Sequence, residues 1–141
     1  MKIVLDTNVL IASLITHGTC FEVIEHCIRN HRIVTSNYII KELEEKLIEK
    51  FYYTAKETKE IISVVLEKIT NIGEIKDIIV NGIKDKDDYK IIGTAIAGNC
   101  DCIITGDQEL ISLKKYKNID IILPKEFWAY EIKLLKRKQE K

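Results

Sequence analysis

Two short apolar runs each end at an aspartate. The first is Ile3-Val4-Leu5-Asp6, and the second is Cys102-Ile103-Ile104-Thr105-Gly106-Asp107. Unbroken runs of this kind are strands buried on both faces, which is the habit of parallel sheets covered by helices. In an open parallel sheet the strand ends lie side by side at the edge where ligands bind. Two carboxylates brought together there repel each other unless something positive sits between them. Oxygen-only ligands suit a hard cation, so one or two magnesium or manganese ions are the expected cofactor.

The rest of the chain alternates strand-like and helix-like segments. Strands are expected over 2–6, 32–35, 75–80, 102–105 and 119–123, and helices over 9–16, 19–30, 37–51, 54–72, 87–98, 108–113 and 124–138. Thr54-Ala55-Lys56-Glu57 matches a capping box, and Ile61, Val65, Ile69 and Ile72 then recur on one helical stripe. Pro124, the only proline, suits the first position of the last helix. Strands alternating with helices imply right-handed crossovers. The fold class expected is α/β, a three-layer sandwich with a mostly parallel central sheet of about five strands.

At 141 residues, one domain spanning 1–141 is expected. The 22 basic groups cancel the 22 acidic ones, so no global field advertises a polyanionic partner. Asp6 and Asn8 interrupt the N-terminal apolar run too early for an export signal, and no run is long enough to span a membrane. No membrane partner is expected, and the cytoplasm is the expected location. Cys20, Cys27, Cys100 and Cys102 are then reduced thiols, mostly in the core. A zinc site from Cys20, His26 and Cys27 is the weaker reading, and His17, His26 and His31 read as surface or capping residues.

A third acid comes from Lys84-Asp85-Lys86-Asp87-Asp88, which offers three candidates. Asp88 shares a helical face with Ile91, Ile92 and Ala95, the face that should press on the sheet. Asp87 falls nearer the N-cap, and Asp85 reads as solvated. Each acid alone has an ordinary reading as a helix cap or surface charge. The combination shifts the balance.

In this order and spacing the motifs resemble the PIN-domain nucleases over essentially the whole chain. Ile3-Val4-Leu5-Asp6-Thr7-Asn8-Val9 looks like the family's opening motif. The run from Asp85 through Asp88 and Ala95 to Thr105-Gly106-Asp107 looks like its central motif, and Leu123-Pro124-Lys125-Glu126-Phe127 like its closing segment. The nearest resemblance is to the small prokaryotic VapC-like toxins of toxin–antitoxin pairs.

That resemblance implies a fourth acid, Glu42, which periodicity does not select against Glu44, Glu45 or Glu49. It gives Asp6, Glu42, Asp88 and Asp107 as catalytic, with Asp6, Asp88 and Asp107 as metal ligands. Asn8 and Thr105 match polar positions beside the acids, where they would orient carboxylates or simply cap their turns. It further implies RNA as substrate, cut endonucleolytically to leave a 5′-phosphate and a 3′-hydroxyl, an antitoxin protein as partner, and a homo-oligomer, dimer or higher. The alternative is a non-catalytic PIN-like or receiver-like acidic-pocket domain acting as a binding module. From Lys125 to Lys141 six basic groups face three acids, which suits phosphate contact or an ordinary solvated helix. Phe127, Trp128 and Tyr130 could stack on bases but are more often core or dimer contacts.

Overall fold

The computed structural model describes residues 1–140. Its strands are β1 (Lys2–Leu5), β2 (Arg32–Thr35), β3 (Thr70–Asn71), β4 (Cys102–Ile104), β5 (Lys115–Tyr116) and β6 (Ile119–Ile122). Its helices are α1 (Thr7–Ile15), α2 (Thr19–Asn30), α3 (Asn37–Glu49), α4 (Ala55–Lys68), α5 (Lys86–Ala97), α6 (Gln108–Leu113) and α7 (Phe127–Gln139), with a 3-10 turn over Pro124–Glu126. They form one six-stranded sheet in the order β3-β2-β1-β4-β6-β5. Every pairing is parallel except that of β5 with β6.

Successive residues of a strand point to opposite faces. Ile3, Val4 and Leu5 are all buried, as are Cys102, Ile103 and Ile104, so helices cover the sheet on both sides. The core joins these strands to Val9, Leu10, Val23, Ile24, Ile39, Ile91, Ile92 and Phe127. From β1 the chain moves outward to β2, and from β4 it moves the other way to β6. The order therefore reverses between β1 and β4, which is where a doubly wound sheet opens a crevice at its strand ends. Register pairs Leu5 with Ile104, so Asp6 and Thr105 emerge abreast.

The strand expected over 75–80 does not form. The free edge of β2 is taken instead by Thr70–Asn71, which pairs with Val34 and Thr35 immediately after α4 ends. That exit also shortens the helix expected to reach Ile72, since Ile69 already has extended backbone. Segment 75–80 crosses α5 as irregular chain, and Gly93 lets it approach closely: a Cβ there would lie 3.3 Å from Ile75 Cδ1. The run is only partly buried, with Val80 in the core and Ile79 exposed, and only the fold decides whether a neighbouring backbone is there to pair with it.

Local signals otherwise hold. Thr54 and Glu57 form the capping box of α4, each bond 3.0 Å. Pro124 opens the 3-10 turn that leads into α7. No single helix among the described residues is long and apolar enough to cross a membrane.

Candidate active site

Asp6 is the last residue before α1, and its amide donates to Ile104 O at 3.0 Å. Although it occupies the N-cap position, its side chain caps nothing. Oδ2 instead accepts from the Thr105 hydroxyl at 2.6 Å. Thr105 in turn accepts from the Asp107 amide at 3.0 Å, so one buried hydroxyl links the turns after β1 and β4. Asp107 Oδ1 accepts from the amides of Glu109 at 2.8 Å and Leu110 at 3.4 Å, which caps α6.

Asp88 lies in the first turn of α5, on the same buried face as Ile91, Ile92 and Ala95. It is 4 % exposed, and its Oδ2 is buried without a hydrogen-bond partner. The cap of α5 is Asp85, whose Oδ1 accepts from the Asp87 amide at 2.9 Å. The expected roles of the neighbours are thus exchanged: Asp85 caps, while Asp87 is exposed and accepts from the Tyr38 hydroxyl. Helix α5 starts at Lys86, one residue earlier than its apolar pattern suggests, and the residue before it, Asp85, takes the cap.

The acids affect one another electrically. Burial pushes Asp6 above the usual carboxylate range against the Thr105 hydrogen bond, and the charges of Glu42 and Asp107 add to the rise. Burial, followed by the charges of Asp107, Asp85, Asp6 and Glu109, pushes Asp88 up to about 7. Their oxygens nevertheless stand apart: no three of Asp6, Glu42, Asp88 and Asp107 offer donors within 4.8 Å of one another. Asp107 is held back by the amides it caps.

Glu42 sits on α3, where Lys46 Nζ lies 3.9 Å from its Oε1. The same ammonium donates to Asn8 Oδ1 at 3.0 Å, so Asn8 meets the acids through a lysine rather than directly. Lys46 was not singled out by sequence reasoning. Its signal was the spacing of four from Glu42, which puts both on one helical face. A cleft of about 370 Å³ opens beside them, lined by Tyr38, Lys41, Glu42, Lys46, Lys50 and Asp87 among others.

The C-terminal aromatics are mostly structural. Phe127 is fully buried, Tyr130 is half-buried with its hydroxyl donating to Asp120 at 2.8 Å, and Trp128 is exposed. All four cysteines are free thiols, and three are buried.

A family model described as "PIN domain" matches residues 2–109. The chain belongs to the PIN-domain family. PIN domains are, in general, nucleases, and in this one Asp6 and Asp107 stand in the turns that follow β1 and β4. Solved structures share its fold. VapBC2 from Rickettsia felis bound to a DNA fragment from their promoter aligns at TM-score 0.62 and 18% identity, covering 86% of this chain and 97% of that one. VapBC-1 from nontypeable Haemophilus influenzae aligns at TM-score 0.62 and 16% identity, covering 89% and 99%. FitAcB from Neisseria gonorrhoeae aligns at TM-score 0.51 and 16% identity, covering 86% and 97%. No curated protein matches the sequence.

Proposed function

We propose that this PIN domain is a divalent-metal-dependent endoribonuclease. Its acidic site would be Asp6, Glu42, Asp88 and Asp107, with Asn8 and Thr105 as positioning residues. The observation that supports it best is Asp88 Oδ2, a buried carboxylate oxygen with no partner, in the field of Asp6 and Asp107. A buried acid so placed is costly to the fold unless a cation or proton satisfies it. The donor set is all oxygen, which fits magnesium or manganese.

Asp6, Asp88 and Asp107 would hold the ion, with Glu42 at the margin. Such an ion supplies Lewis acidity and charge neutralisation for phosphodiester hydrolysis. Thr105 fixes one oxygen of Asp6 and the amide of Asp107, so both acids keep their bearing when phosphate arrives. Lys41, Lys46 and Lys50 line the cleft beside Glu42, interleaved with Glu45, Glu49 and Asp87, and their ammonium groups are the ones that would meet RNA phosphates there. Water attacks phosphorus, the bond to the 3′ oxygen breaks, and that oxygen takes up a proton, leaving a 5′-phosphate on the other fragment.

An antitoxin-like partner is part of this reading, supported by the likeness in fold to VapBC structures. An apolar groove between α1, α2 and α4, lined by Leu10, Leu14, Phe21, Ile24, Ile28 and Val64, suits the apolar face of a partner helix. Exposed Ile15, Phe51, Tyr52 and Leu66 are in keeping with a homo-oligomer.

The test is incubation of purified protein with single-stranded RNA and manganese. Cleavage to 5′-phosphorylated fragments is expected, and excess EDTA or Asp107→Asn should abolish it. Cleavage that persists in EDTA overturns the mechanism. RNA binding without cleavage under any divalent ion favours the non-catalytic acidic-pocket module instead.

A further inference from the structure

Two of the three histidines meet one glutamate, among residues distinct from the acidic cluster. His26 Nε2, on α2, lies 2.7 Å from Glu131 Oε2. His31 Nε2, just before β2, lies 2.5 Å from the same oxygen. Glu131 itself belongs to α7. The histidines are thus not the separate surface or capping groups that the sequence suggested. Each of the three residues offers one donor atom, all within 4.8 Å of one another.

The donors are shielded but reachable: the side chains of His26, His31 and Glu131 are 26%, 12% and 15% exposed. Both rings are held in place. Phe127 lies edge-on to each at 6.0 Å, and Trp128 lies edge-on to His26 at 4.9 Å. Each ring also has a polar neighbour at its far nitrogen. Asn30 Nδ2 lies 3.3 Å from His26 Nδ1, and the Met1 nitrogen lies 3.2 Å from His31 Nδ1. The Met1 ammonium and the Asn30 amide nitrogen are both donors, so each Nδ1 accepts and each Nε2 faces Glu131 as the donor. Ligation through Nε2 puts the ring proton on Nδ1, so the Met1 ammonium must swing aside and the Asn30 amide, which also donates to the His26 carbonyl at 3.0 Å, must move with it. The nearby Cys27 thiol is buried, and its sulfur is not among the donor atoms that lie within 4.8 Å of one another.

We propose that His26, His31 and Glu131 form a site for a zinc-class transition ion that ties α7 to α2 and the start of β2. Two imidazole nitrogens and one carboxylate oxygen match zinc's ligand preference, with a fourth tetrahedral position left to water. Magnesium, which wants oxygen ligands, is a poor match. Each ring ligates as the neutral imidazole, its Nε2 lone pair going to the ion and its one proton residing on Nδ1, so no net proton leaves the rings. The three donors must spread from hydrogen-bond to ligand spacing, a shift within reach of side-chain adjustment. His26 and His31 lie within the residues that the family model matches, and Glu131 lies beyond residue 109, where that match ends.

The experiment titrates metal-free full chain with zinc and with cobalt, reading stoichiometry, melting temperature and visible absorption. About one zinc per chain is expected, with a higher melting temperature and, for cobalt, the d–d bands of a tetrahedral site with imidazole ligands. Glu131→Gln keeps a hydrogen-bond acceptor for both rings but should lose the cobalt spectrum, as should His31→Gln. Asp107→Asn should keep it while losing the manganese response of the acidic edge. Wild-type protein that gives no tetrahedral cobalt spectrum overturns the proposal whether or not the variants fold. So does a spectrum that survives Glu131→Gln and His31→Gln but disappears in Asp107→Asn.

Discussion

Thr105 donates its hydroxyl to Asp6 Oδ2 at 2.6 Å, across 99 positions of sequence. Thr105 Oγ1 itself accepts from the Asp107 amide, so the two strand-end acids are held by one buried atom. Thr105→Val keeps the shape and removes the hydroxyl. It should cost about 1–3 kcal/mol of stability, because a buried carboxylate loses its donor. Manganese affinity should fall with it. Chemical denaturation and metal titration read both effects, and an unchanged midpoint with unchanged affinity would show that the link is incidental.

Asp88→Asn should raise the melting temperature of the metal-free protein above pH 7. The folded carboxyl titrates at about 7 against an ordinary 3.8, so ionising it works against the fold. The same variant should lose most of its stabilisation by manganese, because binding to the folded state alone is what raises the melting point. Scanning calorimetry with and without the ion measures both.

The pH dependence follows with a definite sign. Between pH 3.8 and about 7 the folded protein keeps a proton on Asp88 that the unfolded chain has released. Stability from this group is therefore full below 3.8, declines through that window, and is gone above it, by at most about 1.4 kcal/mol per pH unit. Asp6 is raised too and acts in the same direction. Subtracting the Asp88→Asn curve from wild type isolates the effect, and a difference that grows more favourable to wild type with rising pH would refute it.

Lys46→Gln should weaken RNA binding more than it slows the bond-breaking step. The ammonium donates to Asn8 and faces Glu42 at the mouth of the cleft, so it can meet phosphate without touching the ion. A lost charged hydrogen bond of about 1.5 kcal/mol corresponds to roughly tenfold in KM. Steady-state kinetics at low and high salt separate this from a loss in kcat.

Thr54→Ala serves as a control on the fold. It removes the acceptor for the Glu57 amide and should cost ~1 kcal/mol. Neither residue of that capping box lines the cleft beside Glu42, so RNA cleavage should keep its rate.

Some of this was legible in the chain alone because it is a local property. Unbroken apolar runs ending at Asp6 and Asp107 mark buried strands and their exits, and strand-end acids can be read without knowing the neighbours. Helical phase put Asp88 on the face of Ile91, Ile92 and Ala95 for the same reason: periodicity is carried by the sequence itself. Glu42 was visible only through family likeness, since its helix offers several glutamates and phase prefers another. Tertiary structure decided what depends on who lies alongside. Thr70–Asn71 became the strand beside β2, and 75–80 did not, because hydrogen-bond partners are supplied by the fold and not by composition. Lys46 reached Asn8, and His26 and His31 reached Glu131, across separations that no local pattern encodes. Side chains distant in sequence share a proton or an ion only after packing has closed the chain between them.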